Sequence, residues 1–215
     1  MKLLMIQCSG RKTGNTALLF EQVKEKAAEA GHSVELVHLR ELSFEGCHSC
    51  LHCKLNKAPW NETAHCAMRD DLRDVLAKAQ EADVMLIGSP IYFGNLSSYA
   101  YAFLERLFYP AHVADDARST LWGKRTPTGY VLTMSADTEA LYQPMVDNIL
   151  QTSGRIIGPA EALYIVDTDQ FVDYDKYYAP KQDAAHKASR RAVLLTEEVD
   201  RTYQFLEQLM AKVEQ

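Results

Sequence analysis

Short apolar runs alternate with helical patterns along this chain, and the alternation leaves few folds open. The predicted strands are Leu3–Ile6, Val34–Leu39, Asp83–Gly88, Gly129–Met134 and Ala160–Val166. The predicted helices are Asn15–Ala30, Asp70–Ala79, Leu96–Tyr109, Glu139–Ser153 and Lys181–Lys212. A strand that is repeatedly followed by a helix indicates right-handed βαβ crossovers. We therefore expect an α/β fold, with a parallel sheet covered by helices on both faces.

Length and charge narrow the function classes. The chain has 215 residues and a net charge of -6, so we expect one domain over 1–215 that binds neither nucleic acid nor a membrane. A cysteine-rich insertion at about 40–66 and a C-terminal helical extension at about 180–212 would belong to that domain. The N-terminal apolar run, Leu3 to Ile6, is too short for a secretory signal, and we predict a cytoplasmic protein.

The loop after the first predicted strand has the composition of an anion site. It reads CSGRKTGNT from Cys8 to Thr16 and leads into the first predicted helix. A helix N-terminus offers unpaired backbone N–H groups and partial positive charge, which favour phosphate. Side-chain donors are available from Ser9, Arg11, Asn15 and Thr16, and Gly10 and Gly14 allow a tight turn. Neither a Walker A loop nor a G-x-G-x-x-G fingerprint is present. An ordinary capped turn, with Asn15 or Thr16 as the cap, is the alternative.

Two further segments follow predicted strands. The first contains Pro90, Ile91, Tyr92, Phe93, Gly94 and Asn95, and predicts a shaped apolar shelf for a flat heterocycle. A turn that tucks its two aromatic side chains into the core is the alternative. The second segment includes Met134 and Ser135, which would form a wall of the same site.

These motifs together resemble a known family. The string Ser9-x-Arg11-x-x-Gly14-Asn15-Thr16, then Ser89-Pro90-Ile91-Tyr92-Phe93-Gly94, then Phe103-Leu104-Glu105-Arg106, is similar to the flavodoxin-like NAD(P)H-dependent FMN reductases. The resemblance covers roughly residues 1–166. It implies a flavodoxin-like, doubly wound, five-stranded sheet in the order 2-1-3-4-5, a non-covalent FMN, and a homodimer or homotetramer.

The resemblance also assigns positions to the cofactor. It places the FMN phosphate on Ser9, Arg11, Asn15 and Thr16, in a loop that turns at Gly14. It places the isoalloxazine ring against the segment from Pro90 to Asn95, with Met134 and Ser135 as a further wall. Because flavin carries the redox chemistry, no side chain is required as an acid or base, and we nominate no catalytic residue.

Four of the five cysteines lie between positions 47 and 66. Cys47, Cys50 and Cys53 have the x₂ spacing that lets one turn present several sulfurs to one centre. With Cys66 the run resembles the iron–sulfur flavoprotein branch of the family, although the fourth cysteine of that branch usually follows sooner than the twelve residues seen here. The alternatives are a [4Fe–4S] cluster on these four cysteines, zinc with help from His48, His52 or His65, and free thiols without metal.

Three functions remain open at this point. The first is an FMN-dependent oxidoreductase that passes hydride from NAD(P)H to a flavin, quinone, azo compound, nitro compound or metal ion. The second is an electron carrier with FMN and a cluster, and the third is a non-enzymatic regulator or scaffold. The acidic, tyrosine-rich segment Asp167–Tyr178 reads as a loop, in which Asp167, Asp169, Asp173 and Asp175 are expected to be solvated charges.

Overall fold

The computed structural model describes residues 1–55, 65–117 and 119–213. Its strands are β1 (Lys2–Gln7), β2 (Ser33–His38), β3 (Val84–Tyr92), β4 (Asn95–Leu96), β5 (Thr128–Thr133) and β6 (Ala160–Ile165). Five of them form a parallel sheet in the order β2-β1-β3-β5-β6, while the two-residue β4 pairs antiparallel with β3. Apart from β4, this is the predicted 2-1-3-4-5 order, which confirms the flavodoxin-like fold.

Helices cover both faces of the sheet. They are α1 (Asn15–Glu29), α2 (Leu72–Glu81), α3 (Ser98–Ala111), α4 (Gln143–Ile156), α5 (Ala184–Leu194) and α6 (Glu197–Met210). Side chains alternate along β1, so Leu4 and Ile6 pack in one core with α2, α3 and α4, while Leu3 and Met5 pack in the other with α1, α5 and α6. The carboxyl ends of the five parallel strands lie at one edge, where ligands bind in such sheets.

Strand β3 is longer than the sequence pattern predicts. The expected turn after Gly88 is absent, and the strand continues through Pro90 to Tyr92. The chain reverses at Phe93 and Gly94, which both have positive φ (50° and 78°), and returns as β4. Positive φ at both central residues is the requirement of the tight hairpin turn that matches strand twist. The strand before the hairpin therefore ends four residues beyond the predicted strand end.

The C-terminal helical pattern divides in two. A break at Leu195 and Thr196 separates α5 from α6, because Thr196 leaves the helical conformation (φ -124°, ψ -81°). In the cysteine-rich insertion, short 3₁₀ turns span Leu39–Glu41 and His52–Lys54. Residues 56–64 of that insertion lie outside the described residues. Among the described parts of the chain, no helix is both long enough and apolar enough to cross a bilayer.

Candidate functional site: a cleft at the carboxyl edge of the sheet

Four chain segments meet in one cleft where β1, β3, β5 and β6 end. The lining comprises Ser9, Arg11, Gly14, Asn15, Thr16, Pro90, Ile91, Tyr92, Thr133, Met134, Ser135, Thr168, Asp169 and Gln170. Ten of the thirteen predicted cofactor residues are in this set. The other three, Phe93, Gly94 and Asn95, are at the hairpin between β3 and β4 and are outside the lining.

The predicted phosphate-binding loop, Cys8 to Thr16 (the phosphate loop), turns into α1 at Gly14, which is the N-cap residue in extended conformation (φ -78°, ψ 169°). No side chain caps this helix, so the prediction that Asn15 or Thr16 acts as the cap is wrong. An uncapped N-terminus leaves first-turn N–H groups without the usual side-chain acceptor. Ser9 accepts a hydrogen bond from the Arg11 backbone N–H at its Oγ (3.1 Å) and fixes the start of the loop. The end of α1 in the cleft is thus available to an anion.

Like Ser9, the other three predicted phosphate side chains already have protein partners. Thr16 is buried, and its Oγ1 lies 2.8 Å from Thr133 Oγ1 at the end of β5. Asn15 donates from Nδ2 to the Asp169 carbonyl (2.7 Å), and Arg11 donates from Nη1 to the Gln170 carbonyl (2.5 Å). The loop is therefore tied to neighbouring strand ends on the side of β5 and β6.

The shelf formed by the β3–β4 hairpin is open. Tyr92 has 44% of its surface exposed, and Phe93 is fully exposed at the tip. Asn95 supports the turn by donating from Nδ2 to the Phe93 carbonyl (3.3 Å), and Tyr101 donates its hydroxyl to Asn95 Oδ1 (3.3 Å). The alternative of two aromatic side chains tucked into the core is wrong. Exposed aromatic faces beside a polar cleft suit stacking by a flat heterocycle.

The wall after β5 carries an unpaired polar atom. Ser135 Oγ is buried with no hydrogen-bond partner in the described structure, although Ser135 lines the cleft. Buried hydroxyl groups in native proteins are nearly always paired, with protein, water or ligand. Met134 stands beside it, buried in the core with α2, α3 and α4. The orphaned hydroxyl indicates that this cleft is built for a polar ligand.

Sequence reasoning missed the fourth segment, residues Thr168 to Gln170. Asp169 is 8% exposed and pairs with Arg191 (2.9 Å), and Asp167 pairs with Lys187 (2.5 Å). The interpretation of both aspartates as solvated charges is therefore wrong. Burial favours the neutral acid, yet the Lys187 and His186 contacts outweigh it and hold the pKa of Asp167 below its usual value. The available signal was position, because this segment directly follows the last strand at the ligand edge.

The cleft fits the two ends of FMN differently. Its enclosed part has about 140 Å³, below the ~300–1,000 Å³ of pockets that enclose a whole ligand. That space and the uncapped helix end match a phosphate and the adjoining polyol chain. The isoalloxazine ring would then lie on the open shelf at Tyr92, beside Ser135. The residues present thus fit FMN with its ring plane accessible from outside.

The four cysteines of the insertion surround one small cavity beneath α3. Cys47, Cys50, Cys53 and Cys66 all line it. All five cysteines of the chain are free thiols. The cavity has only about 10 Å³, the volume of one water, and no group of three or more candidate ligands in the described residues has metal-binding geometry. The donor set fits a thiolate-bound centre. To hold one, however, the thiols must adopt positions other than these.

Arg106 of α3 clamps both ends of the insertion. It is 1% exposed and forms a bidentate pair with Asp70 (2.5 and 2.8 Å). It also donates to the Glu45 carbonyl (3.0 Å) and to Cys66 Sγ (3.4 Å). A planar guanidinium is suited to such a fork of acceptors, which lysine could not satisfy. Among the cysteines of the insertion, burial raises the pKa of the Cys53 thiol.

Comparison with known proteins decides the family. The family model for NADPH-dependent FMN reductase matches residues 1–154, which include the phosphate loop, the shelf and the wall after β5. The chain belongs to the NADPH-dependent FMN reductase family. It is 36% identical over 106 residues to a protein from Archaeoglobus fulgidus named iron–sulfur flavoprotein. That alignment covers 49% of this chain and 48% of the relative, so the chain spans about half the length of the curated relatives it matches.

Solved structures support the same fold at low sequence identity. An NAD(P)H:quinone oxidoreductase from Methanothermobacter marburgensis superposes with a TM-score of 0.60 at 12% identity, over 91% of this chain and 98% of that one. An FMN-dependent NADH-azoreductase from Bacillus anthracis, solved with FMN, gives 0.58 at 10% identity over 94% and 100%. At these identities the likenesses show the fold alone, and they agree with the flavodoxin-like strand order.

Proposed function

We propose that the protein is an FMN-dependent NAD(P)H oxidoreductase of the flavin, quinone, azo or nitro reductase type. The observation that carries the proposal is the convergence of an uncapped helix N-terminus, an open aromatic shelf and the orphaned Ser135 hydroxyl on one cleft. When bound, FMN supplies the chemistry, accepting hydride from NAD(P)H and passing electrons to an acceptor. The acceptor class and a homodimer or homotetramer stay predictions.

In this reaction the role of the chain is to bind and orient FMN and to leave its ring accessible to substrates. The N-terminal N–H groups of α1 and the Ser9–Gly14 turn would hold the phosphate. Pro90, Ile91 and Tyr92 would support the ring, and Ser135 would offer it a hydroxyl group. Because the shelf is open, a nicotinamide and then an acceptor can reach the same face in turn. No side chain in the cleft is needed as a proton donor.

The activity has a direct assay. Purified protein supplied with FMN should oxidise NADH or NADPH when a quinone, an azo dye, a nitroaromatic compound or free flavin is added. A protein that binds FMN yet shows no turnover with any of these acceptors would instead favour the carrier or the scaffold.

Arg11→Ala is expected to weaken FMN binding by about 10-fold, because it removes a cationic donor at the phosphate loop and its tie to Gln170. Fluorescence quenching of FMN on titration with protein measures the effect. Lys12→Ala is the matched control, since Lys12 pairs with Glu41 and does not line the cleft. Equal affinities of wild type and Arg11→Ala would remove Arg11 from the site.

A second candidate function is electron transfer through FMN and a [4Fe–4S] cluster. The observation that favours it is the single cavity shared by Cys47, Cys50, Cys53 and Cys66. The relative named iron–sulfur flavoprotein agrees with this reading. A carrier would receive electrons from a protein partner and would oxidise NAD(P)H slowly.

This candidate predicts iron and sulfide in equal amounts in protein purified without oxygen. Cys53→Ser should lose most of both, because a cluster held by four thiolates depends on each of them. Cys8→Ala is the control, since Cys8 is buried at the end of β1, outside the cysteine cavity. Iron-free wild-type protein would contradict the cluster, and stoichiometric zinc in its place would favour a mixed cysteine and histidine site.

A further inference from the structure

The segment 168–170 lies opposite the phosphate loop and accepts hydrogen bonds from two of its side chains. Asn15 Nδ2 donates to the Asp169 carbonyl and Arg11 Nη1 to the Gln170 carbonyl. Both contacts use backbone oxygens, so the path of the segment, and not the identity of its side chains, sets where these donors point. Whatever holds residues 168–170 in place therefore also positions the phosphate loop.

Helix α5 holds the segment through charge. Arg191 Nη1 donates to Asp169 Oδ2 (2.9 Å) and also contacts Asn15 Oδ1 (3.3 Å), so one guanidinium joins the segment to the first residue of α1. One turn earlier, Lys187 is 6% exposed and donates to Asp167 Oδ1 and to the Ser135 carbonyl (2.9 Å). Helix α5 thus contacts three of the segments that line the cleft: the start of α1, the segment after β6 and the wall at Ser135.

The buried carboxylate of Asp169 requires the positive charge of Arg191 beside it. The Asp169 side chain is nine-tenths buried, its Oδ1 has no hydrogen-bond partner in the described structure, and it lines the cleft. A buried carboxylate that faced a phosphate alone would repel it. Arg191 neutralises that charge while leaving Oδ1 able to accept a hydrogen bond, for example from a hydroxyl of the polyol chain. Loss of Arg191 would expose the phosphate position to an unpaired negative charge.

We infer that Arg191 and Asp169 form a positioning pair that makes the cleft selective for a phosphorylated flavin over the same flavin without phosphate. The inference rests on the proposed function, since it needs FMN in this cleft. It assigns a role to the C-terminal extension, which lies beyond the 1–154 range of the family model. The pair acts on the phosphate loop, so its removal should affect FMN and leave riboflavin, which has no phosphate, largely unaffected.

The test compares dissociation constants for FMN and riboflavin by fluorescence quenching. Arg191→Gln is expected to weaken FMN binding by about 10-fold and riboflavin binding by less than about 3-fold. Arg191→Lys keeps the charge but not the guanidinium nitrogen that contacts both Asp169 and Asn15, so its FMN affinity should lie between those of wild type and Arg191→Gln. Adding Asp169→Asn to Arg191→Gln should recover most of the lost FMN affinity, because no unpaired buried charge remains.

Lys26→Gln is the matched control, because Lys26 pairs with Asp200 and joins α1 to α6 at the far end of the helix. It should leave the FMN-to-riboflavin ratio unchanged. Equal weakening of both ligands by Arg191→Gln or Arg191→Lys, or no change in either, would overturn the positioning pair. Wild-type protein that binds riboflavin but discriminates against FMN would overturn it too. Wild-type protein that binds neither flavin would instead overturn the proposed function itself.

Discussion

Arg106→Met will lower the free energy of unfolding by about 3 kcal/mol, because it leaves the Asp70 carboxylate without its bidentate partner in a mostly buried site. It also frees the Glu45 carbonyl and Cys66, which bracket the cysteine-rich insertion. Urea unfolding at neutral pH measures the loss. Arg125→Gln is the control, since Arg125 is an exposed arginine that also donates to a backbone carbonyl, that of Gly154, and its loss should cost less than ~0.5 kcal/mol.

The ion pair between Arg106 and Asp70 also predicts how the loss of stability in Arg106→Met depends on pH. Partial burial would raise the pKa of Asp70, but the hydrogen bonds and charge of Arg106 hold it below its usual value. A carboxyl whose pKa is lower in the folded state contributes stability above its unfolded pKa, and that contribution disappears as pH falls through the folded pKa. The difference in stability between wild type and Arg106→Met should therefore shrink below about pH 4. A difference that is small at pH 7, or that grows in acid, would contradict the role of the pair.

Gly88→Ala should destabilise the protein by about 2 kcal/mol and weaken FMN binding by about 10-fold. A Cβ at Gly88 would lie 2.4 Å from Phe20 Cζ and 2.8 Å from Thr16 Cγ2, both on the first turns of α1. Phe20 is fully buried, so the ring cannot swing away and the start of the helix must shift from the sheet. That shift displaces the phosphate loop.

Gly154→Ala is the matched control for this substitution. Gly154 is in α4, and nothing lies within 4 Å of the position its Cβ would take, so alanine should stabilise the helix by about 0.5–1 kcal/mol. Thermal unfolding and FMN titration of the two variants form one experiment. If Gly88→Ala binds FMN as tightly as wild type, the close approach of α1 and β3 does not position the loop.

Most of the fold could be predicted because its signals are local. The buried runs of β1, β3 and β5 and the apolar stripes of α1 to α4 are each legible within a few residues. The end of β3 was not, because the strand continues through pairing with two other strands: Ser89 and Pro90 pair with β5, and Ile91 and Tyr92 pair with β4. The break at Thr196 likewise interrupts a helical pattern without any glycine or proline to mark it.

The candidate site, too, could be predicted only where its signals are local. The phosphate loop and the shelf follow single strands and carry their own residue patterns. The contacts from Arg191 to Asp169 and from Asn15 to the Asp169 carbonyl join parts of the chain 22 and 154 residues apart. A pattern within one segment cannot show such a pair, and an aspartate in an acidic loop has no local mark of burial. The fourth segment of the cleft, residues 168–170, therefore became visible only in the structure.

The central claim is that this cleft binds FMN, and titration of the purified protein with FMN while its visible spectrum is recorded tests it most directly. The account predicts a yellow protein, or a colourless one that takes up FMN to one per chain, with the flavin bands shifted by the apolar shelf. A protein that shows no flavin absorbance and leaves the spectrum of added FMN unchanged would contradict it.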